Sequence, residues 1–221
     1  MKSILLAMAL TVVGLASAPA AQMIVNGSFL ANAAGYITFP GYNGGTNPAA
    51  ISSWTGFPDE GGKGLNGSAT TAGTPFAPTN SGGNTYAFVQ GGGGAIYQPI
   101  ALAANTAYTL SIDIAGRAGD AAPLFSVEFA DSATPFAPFW VNGGLGATLP
   151  GNQAAFTNYT FTFTTPAVLG PATLIELWNR SPAGDNTVDF ANVSVVPEPS
   201  SLALLAGLGL ALARRSRRPS A

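Results

Sequence analysis

Asn158-Tyr-Thr-Phe-Thr-Phe-Thr-Thr165 alternates without a break between large aromatic and small hydroxyl side chains. Tyr159, Phe161 and Phe163 fall on one face and Thr160, Thr162 and Thr164 on the other, which is the two-residue period of a strand. The same period runs through Tyr108 to Ile114, where Tyr108, Leu110, Ile112 and Ile114 oppose Thr109, Ser111 and Asp113. In Leu124 to Phe129, Phe125, Val127 and Phe129 oppose Ser126 and Glu128. Further strands are expected at Ile24 to Phe29, Thr85 to Gln90, Ala95 to Ile100, Thr173 to Trp178 and Thr187 to Val195. No segment before residue 196 sustains a 3.6-residue period. Short strands separated by Gly, Asn and Pro predict an all-β protein, an antiparallel jelly-roll-like β-sandwich. Leu30 to Asn84 and Ala130 to Asn152 stay irregular, with short strands expected near Tyr36 to Phe39 and Ile51 to Phe57.

Composition narrows the chemistry. Among 221 residues there is no cysteine and no histidine. That excludes disulfides, thiolate metal sites, Ser-His-Asp triads and HExxH zinc sites. Only 8% of residues are charged, against about 25% in ordinary domains. Between the two termini, three bases (Lys63, Arg117, Arg180) face nine acids. Such a body repels phosphate, so nucleic acid is excluded as a partner. Gly91 to Gly94 and Gly61-Gly-Lys63-Gly64 do not fit a phosphate loop and read as turns.

Both ends read as addresses. Met1-Lys2, an apolar run from Ile4 to Leu15 and Ala18-Pro19-Ala20 have the layout of a secretory signal peptide spanning residues 1–21. The body then occupies 22–195, one domain's length. At the other end, Val196-Pro197-Glu198-Pro199-Ser200-Ser201 precedes an apolar segment, Leu202 to Ala213, and a basic end, Arg214, Arg215, Arg217 and Arg218. As a helix the apolar segment rises only about 18 Å, short for a bilayer core of about 30 Å. The arginines behind it act as a membrane stop and stay cytoplasmic, leaving the body outside.

The order of motif, apolar helix and basic end over residues 196–221 resembles the PEP-CTERM sorting domain. That resemblance implies that Val196, Pro197, Glu198 and Pro199 are the recognition motif of a membrane protease, the exosortase. It also implies export through the secretory translocon, signal-peptidase cleavage and transient anchoring in the inner membrane. The destination it implies is the outer envelope or extracellular matrix.

The body carries a second resemblance. Ile24-Val-Asn-Gly-Ser-Phe29 followed by Ile51-Ser-Ser-Trp-Thr55, then Tyr97-Gln-Pro-Ile100 with Tyr108-Thr-Leu-Ser-Ile-Asp113, and finally Phe190-Ala-Asn-Val-Ser-Val195 are similar to galactose-binding-like and carbohydrate-binding modules. In that fold a Glu after the first Phe and an Asp in the last strand often hold structural calcium. Here Leu30 and Ala191 stand at those positions. Asp189, on the same strand face as Ala191, is the remaining candidate metal ligand; otherwise no cofactor is expected.

The resemblance implies a non-catalytic module that binds extracellular polysaccharide, and no catalytic residue is assigned. The alternatives are a structural matrix protein without a specific ligand and, more remotely, a glycoside hydrolase built on Asp113, Glu128 or Glu176. In Thr173 to Trp178 the aliphatic Ile175 and Leu177 are expected to face the core. That turns Glu176 and Trp178 outward, with Asn179 and Arg180 next, as a platform for a sugar ring. Trp54 and Trp140 are candidates for a second platform. The competing reading buries Trp178 under a loop, as befits a large aromatic side chain. The signal peptide carries its own prediction: intact-mass measurement of exported protein should show an N-terminus at Ala21 or Gln22.

Overall fold

The computed structural model describes residues 21–31, 51–57, 62–67, 85–117, 122–134, 137–141, 147–148, 155–182, 184 and 186–198. Eleven strands form two antiparallel sheets among these residues. They are β1 (Thr55–Gly56), β2 (Lys63–Gly67), β3 (Thr85–Gln90), β4 (Ala95–Ile100), β5 (Ala107–Gly116) and β6 (Leu124–Asp131), followed by β7 (Pro138–Val141), β8 (Ala147–Thr148), β9 (Thr157–Thr164), β10 (Thr173–Asn179) and β11 (Thr187–Pro197). The first sheet has the order β1-β4-β10-β6-β7, with β8 also paired to β6. The second has the order β2-β3-β11-β5-β9. The architecture is the antiparallel jelly-roll-like sandwich that the alternation predicts.

The alternating runs become strands because each has one face to bury. Leu110, Ile112 and Ile114 of β5 meet Phe125, Val127 and Phe129 of β6 and Ile175 and Leu177 of β10 in a single core between the sheets. Aromatic rings bridge the two layers: Phe129 stacks on Phe163 at 4.4 Å, and Phe125 meets Tyr159 edge-on at 5.3 Å. Each such side chain contributes about 1.5–3 kcal/mol by leaving water. Thr160, Thr162 and Thr164 of β9 stay exposed, as expected of a sheet's wet face.

Several local expectations are corrected. Ile24 to Phe29 is a turn, not a strand: Asn26 and Phe29 have φ of 51° and 58°, and the Phe29 N–H donates to the Asn26 carbonyl at 3.2 Å. The turn drops Phe29 into the core, where its ring lies 5.6 Å from Trp54. Lys63 and Gly64 open β2 instead of sitting in a turn, and Lys63 is fully buried. Gly91 to Gly94 is a turn, with φ of 83° at Gly91 and 84° at Gly93. β7 and β8 emerge from the stretch read as irregular, whose short apolar runs carry too few alternations to announce a strand. Of the strands expected between Leu30 and Asn84, the one near Ile51 to Phe57 is reduced to the two residues of β1, and the one near Tyr36 to Phe39 lies outside the described residues. β11 continues through Val196 and Pro197, so the boundary drawn at residue 195 falls inside a strand.

Gly27 marks a place where two backbones nearly touch. Its carbonyl accepts from the Val193 N–H at 2.9 Å, and a Cβ at Gly27 would lie 2.0 Å from the Val193 carbonyl oxygen. Gly27→Ala should therefore force the N-terminal turn off β11. The expected loss is about 1–3 kcal/mol, read as a lower melting midpoint of the exported body.

Candidate functional site

The expected sugar platform is buried. β10 is buried along its whole length, on both faces. Ile175 and Leu177 do face the core, and Glu176 and Trp178 do lie on the opposite face of the sheet. That face is roofed over: Trp178 is 4% exposed and Glu176 fully buried. Phe57 lies 5.5 Å from the Trp178 ring, and the Arg180 guanidinium sits 3.9 Å from its centroid. The Trp178 Nε1–H donates to Glu176 at 3.0 Å. Trp178 and Glu176 thus point away from the core as expected, but they are covered and not exposed, which agrees with the competing reading of a buried Trp178.

Directly across from Glu176 on β6 is Glu128, also fully buried. Arg180 forms an ion pair with Glu128 and donates from Nε to Ser126 at 3.0 Å, while the Ser126 hydroxyl donates to the same Glu128 oxygen. Ser126 and Glu128, on the polar face of their strand, sit in a buried polar cluster closed by Arg180. Asn179 leaves this cluster altogether. It donates to the carbonyls of Val89 at 2.9 Å and Asn186 at 3.0 Å and accepts from the Ser181 N–H at 2.9 Å. Its role is to tie β10 to β3 across the sandwich.

The other tryptophans follow suit. Trp54 is buried, with its Nε1–H on the Asn26 carbonyl at 3.3 Å. Trp140 packs 4.9 Å from Phe163 and 5.5 Å from Phe129. Trp54 is thus closed off as a second platform, while Trp140 is half-buried. Asp113, the remaining carboxylate considered for hydrolysis, accepts from Asn158 at 2.7 Å and Asn192 at 2.6 Å.

Asp189 stands apart. β11 is the middle strand of its sheet and sends Val188 and Phe190 into the core, so Asp189 and Thr187 project from the sheet's other face. Asp189 pairs in register with Phe88 of β3 and Ala115 of β5. Tyr86, two residues from Phe88 on the same face, is fully buried and meets Phe156 edge-on at 5.3 Å. Asp189 is 1% exposed, and its Oδ1 has no hydrogen-bond partner; the Thr187 hydroxyl beside it is likewise buried and unpartnered. Burial holds the Asp189 carboxyl well above the usual carboxylate range, because the charged form would lose its water.

Among the described residues no acid cluster surrounds Asp189. Calcium takes 6–8 oxygen ligands, whereas the register neighbours of Asp189 are Phe88 and Ala115. Leu30 is exposed and Ala191 buried at the two positions where the resembling modules place carboxylates. Among the described residues no cluster of three or more acids gathers around a point. An open groove of ≈ 430 Å³ lies at the N-terminal turn, lined by Gln22, Asn26, Ser28, Asn192 and Ser194 among others, and it too holds no carboxylate.

Of the sorting motif, Val196 and Pro197 belong to β11, and the Glu198 N–H donates to the Ala107 carbonyl at 2.8 Å. Pro199, the apolar segment 202–213, Arg214, Arg215, Arg217 and Arg218, and the signal peptide lie outside the described residues. No helix among the described residues is long and apolar enough to cross a membrane.

Residues 20–196 match the model of the HpiC1-like family, described as HpiC1 cyclase. The chain belongs to that family. Residues 195–218 match the PEP-CTERM protein-sorting motif, so this family member carries a tail that implies export, anchoring during sorting and exosortase processing. No curated protein matches the chain. Among solved structures, the Stig cyclase Fisc from Fischerella sp. TAU, bound to (3Z)-3-(1-methyl-2-pyrrolidinylidene)-3H-indole, is similar at 20% identity and a TM-score of 0.57. The match covers 82% of this chain and 100% of that one. An arabinose-bound α-L-arabinofuranosidase is similar at 12% identity and a TM-score of 0.51, over 80% of this chain and 26% of that one. A family 4 carbohydrate-binding module is similar at 15% identity and a TM-score of 0.45, over 79% and 99% of the respective chains. At these identities the likeness is one of fold.

Asp189 makes stability depend on pH in a set direction. Its folded-state pKa is raised, so its proton favours the folded chain below the ordinary carboxylate pKa of about 4. That contribution is lost as pH climbs from there toward the folded-state value. Asp189→Asn should therefore remove a decline in melting midpoint that the wild type shows from about pH 4 upward.

Proposed function

We propose that the chain is an exported member of the cyclase family that binds an apolar, π-rich molecule beside Asp189 and uses this carboxyl to move a proton. The observation that carries the reading is the unpartnered oxygen of Asp189, buried on a face that also bears Phe88 and Tyr86. A carboxyl without a partner in such a place costs the fold stability, and perturbed acids of this kind concentrate at sites of chemistry. A neutral carboxylic acid can protonate a π bond of a bound substrate. Ring closure onto the resulting cation, followed by return of the proton to the carboxylate, leaves the acid unchanged and the substrate isomerised. Membership of a family described as a cyclase supports this use of the fold. The buried, unpartnered Thr187 hydroxyl two residues away supports a role in orienting the substrate.

A second reading, retention of extracellular polysaccharide without catalysis, has in its favour the sorting tail, which carries the body to the cell exterior. A structural matrix role is the limit of that reading in which no ligand is selected. The indole compound bound to the Fischerella cyclase serves as the probe that separates the two. It should raise the melting midpoint of the wild-type body, and Asp189→Asn should lose most of that shift while remaining folded. Retardation in polysaccharide-containing gels, with no response to the indole in either protein, would replace the cyclase reading by the glycan one.

A further inference from the structure

We propose that the folded body shields its own sorting motif, and that the membrane protease acts once the end of β11 has peeled away from β5. The first half of the motif is part of the sheet. Val196 pairs with Thr109 and Pro197 with Tyr108. Beyond them the Glu198 N–H donates to the Ala107 carbonyl at 2.8 Å, and the Thr109 hydroxyl donates to the Glu198 carboxylate. The acidic residue at the centre of the motif is therefore engaged through both its backbone and its side chain.

The strand it rests on is firmly held. Tyr108 is buried, stacks on Phe163 at 5.5 Å, and accepts from the Ala103 N–H at 2.8 Å through its hydroxyl. β11 is the partner that can move. Its inner limit is also marked: both backbone groups of Val195 are tied to the N-terminal segment, the N–H to the Gln22 side chain at 2.9 Å and the carbonyl to the Met23 N–H at 3.0 Å. Between this tie and the tail, Pro197 offers no N–H to the ladder. Release of the motif thus requires the opening of a few residues, not of the sandwich, and strand ends open at low cost compared with global unfolding.

A protease reads an extended chain through its free backbone groups and side chains. While Glu198 is bound to Ala107 and Thr109, those groups are occupied. The opening equilibrium of this strand end then multiplies the rate of processing, and the Thr109–Glu198 bond sets that equilibrium. The N-terminal residues freed by signal-peptide removal lie against the same strand, so completion of the body at its N-terminus tightens the hold on the motif at its C-terminus.

The test is pulse-chase processing of the full chain in an exosortase-bearing host. Thr109→Val keeps the β-branched shape, lies outside the motif and removes the hydroxyl. It should speed processing roughly tenfold, the effect of losing one hydrogen bond to a charged group, with the melting midpoint of the body unchanged within a few degrees. A flexible Gly-Ser insertion between Val195 and Val196 lifts the motif off β5 by another route and should give the same acceleration. Hydrogen exchange supplies an independent readout: the Glu198 amide should be protected in the wild type and lose protection in Thr109→Val. Processing of both variants at the wild-type rate, or an unprotected Glu198 amide in the wild type, would overturn the proposal.

Discussion

The ring of Phe163 stacked on Phe129 at 4.4 Å is where the two sheets are joined. One ring comes from β9 and the other from β6, and Tyr108 and Trp140 close around Phe163 at 5.5 and 4.9 Å. With no cysteine or histidine in the chain, neither a disulfide nor a histidine-bound metal can share this duty. Cohesion rests on interlocked apolar side chains, and aromatic pairs add about 0.5–1.5 kcal/mol beyond the area they bury.

A second layer of burial governs the chemistry. The outer face of the first sheet carries Glu128, Glu176, Trp178 and Arg180, all engaged with one another. Ion pairing and hydrogen bonding there satisfy charges that burial would otherwise penalise. The outer face of the second sheet carries Asp189 and Thr187, with oxygens left unsatisfied. The first face also has an unpartnered buried oxygen, Glu128 Oε2, but that carboxylate keeps an ion pair to Arg180 through its other oxygen, whereas Asp189 has no cation beside it among the described contacts. Burial raises the pKa of Asp189, so it holds its proton to higher pH than an exposed aspartate does.

β11 connects these themes. Within eleven residues it carries Thr187 and Asp189, a register shift between Ala191 and Ser194, and the first half of the sorting motif. The shift accompanies the positive φ of Asn192, whose side chain reaches Asp113 at 2.6 Å. It lets β11 continue along β5 into Val196 and Pro197. The catalytic candidate and the export signal are thus laid along one strand, held on one side by β5 and on the other by β3 and the N-terminal segment.

By itself the sequence determined which segments extend and which of their faces is apolar. A period of two is written locally, and Tyr108 to Ile114, Leu124 to Phe129 and Thr187 to Val195 each state it within a few residues. It also determined the sorting tail, whose motif, apolar run and arginines lie in a continuous stretch. Ile24 to Phe29 shows the limit of that legibility: its apolar ends suggest a strand, but the segment is a turn with positive φ at Asn26 and Phe29, and its Gly27 carbonyl accepts from Val193, some 165 residues away. Only the tertiary structure decided whether a polar face meets water. Ser126, Glu128 and Glu176 alternate with core residues in the same way as the exposed threonines of β9, yet they are buried, with Arg180 on Ser126 and Glu128 and Trp178 on Glu176. The value of Asp189 was hidden for the same reason. Its neighbours Phe88 and Ala115 lie on other strands, and a carboxyl's proton affinity is set by what surrounds it in space, not by what precedes it in the chain.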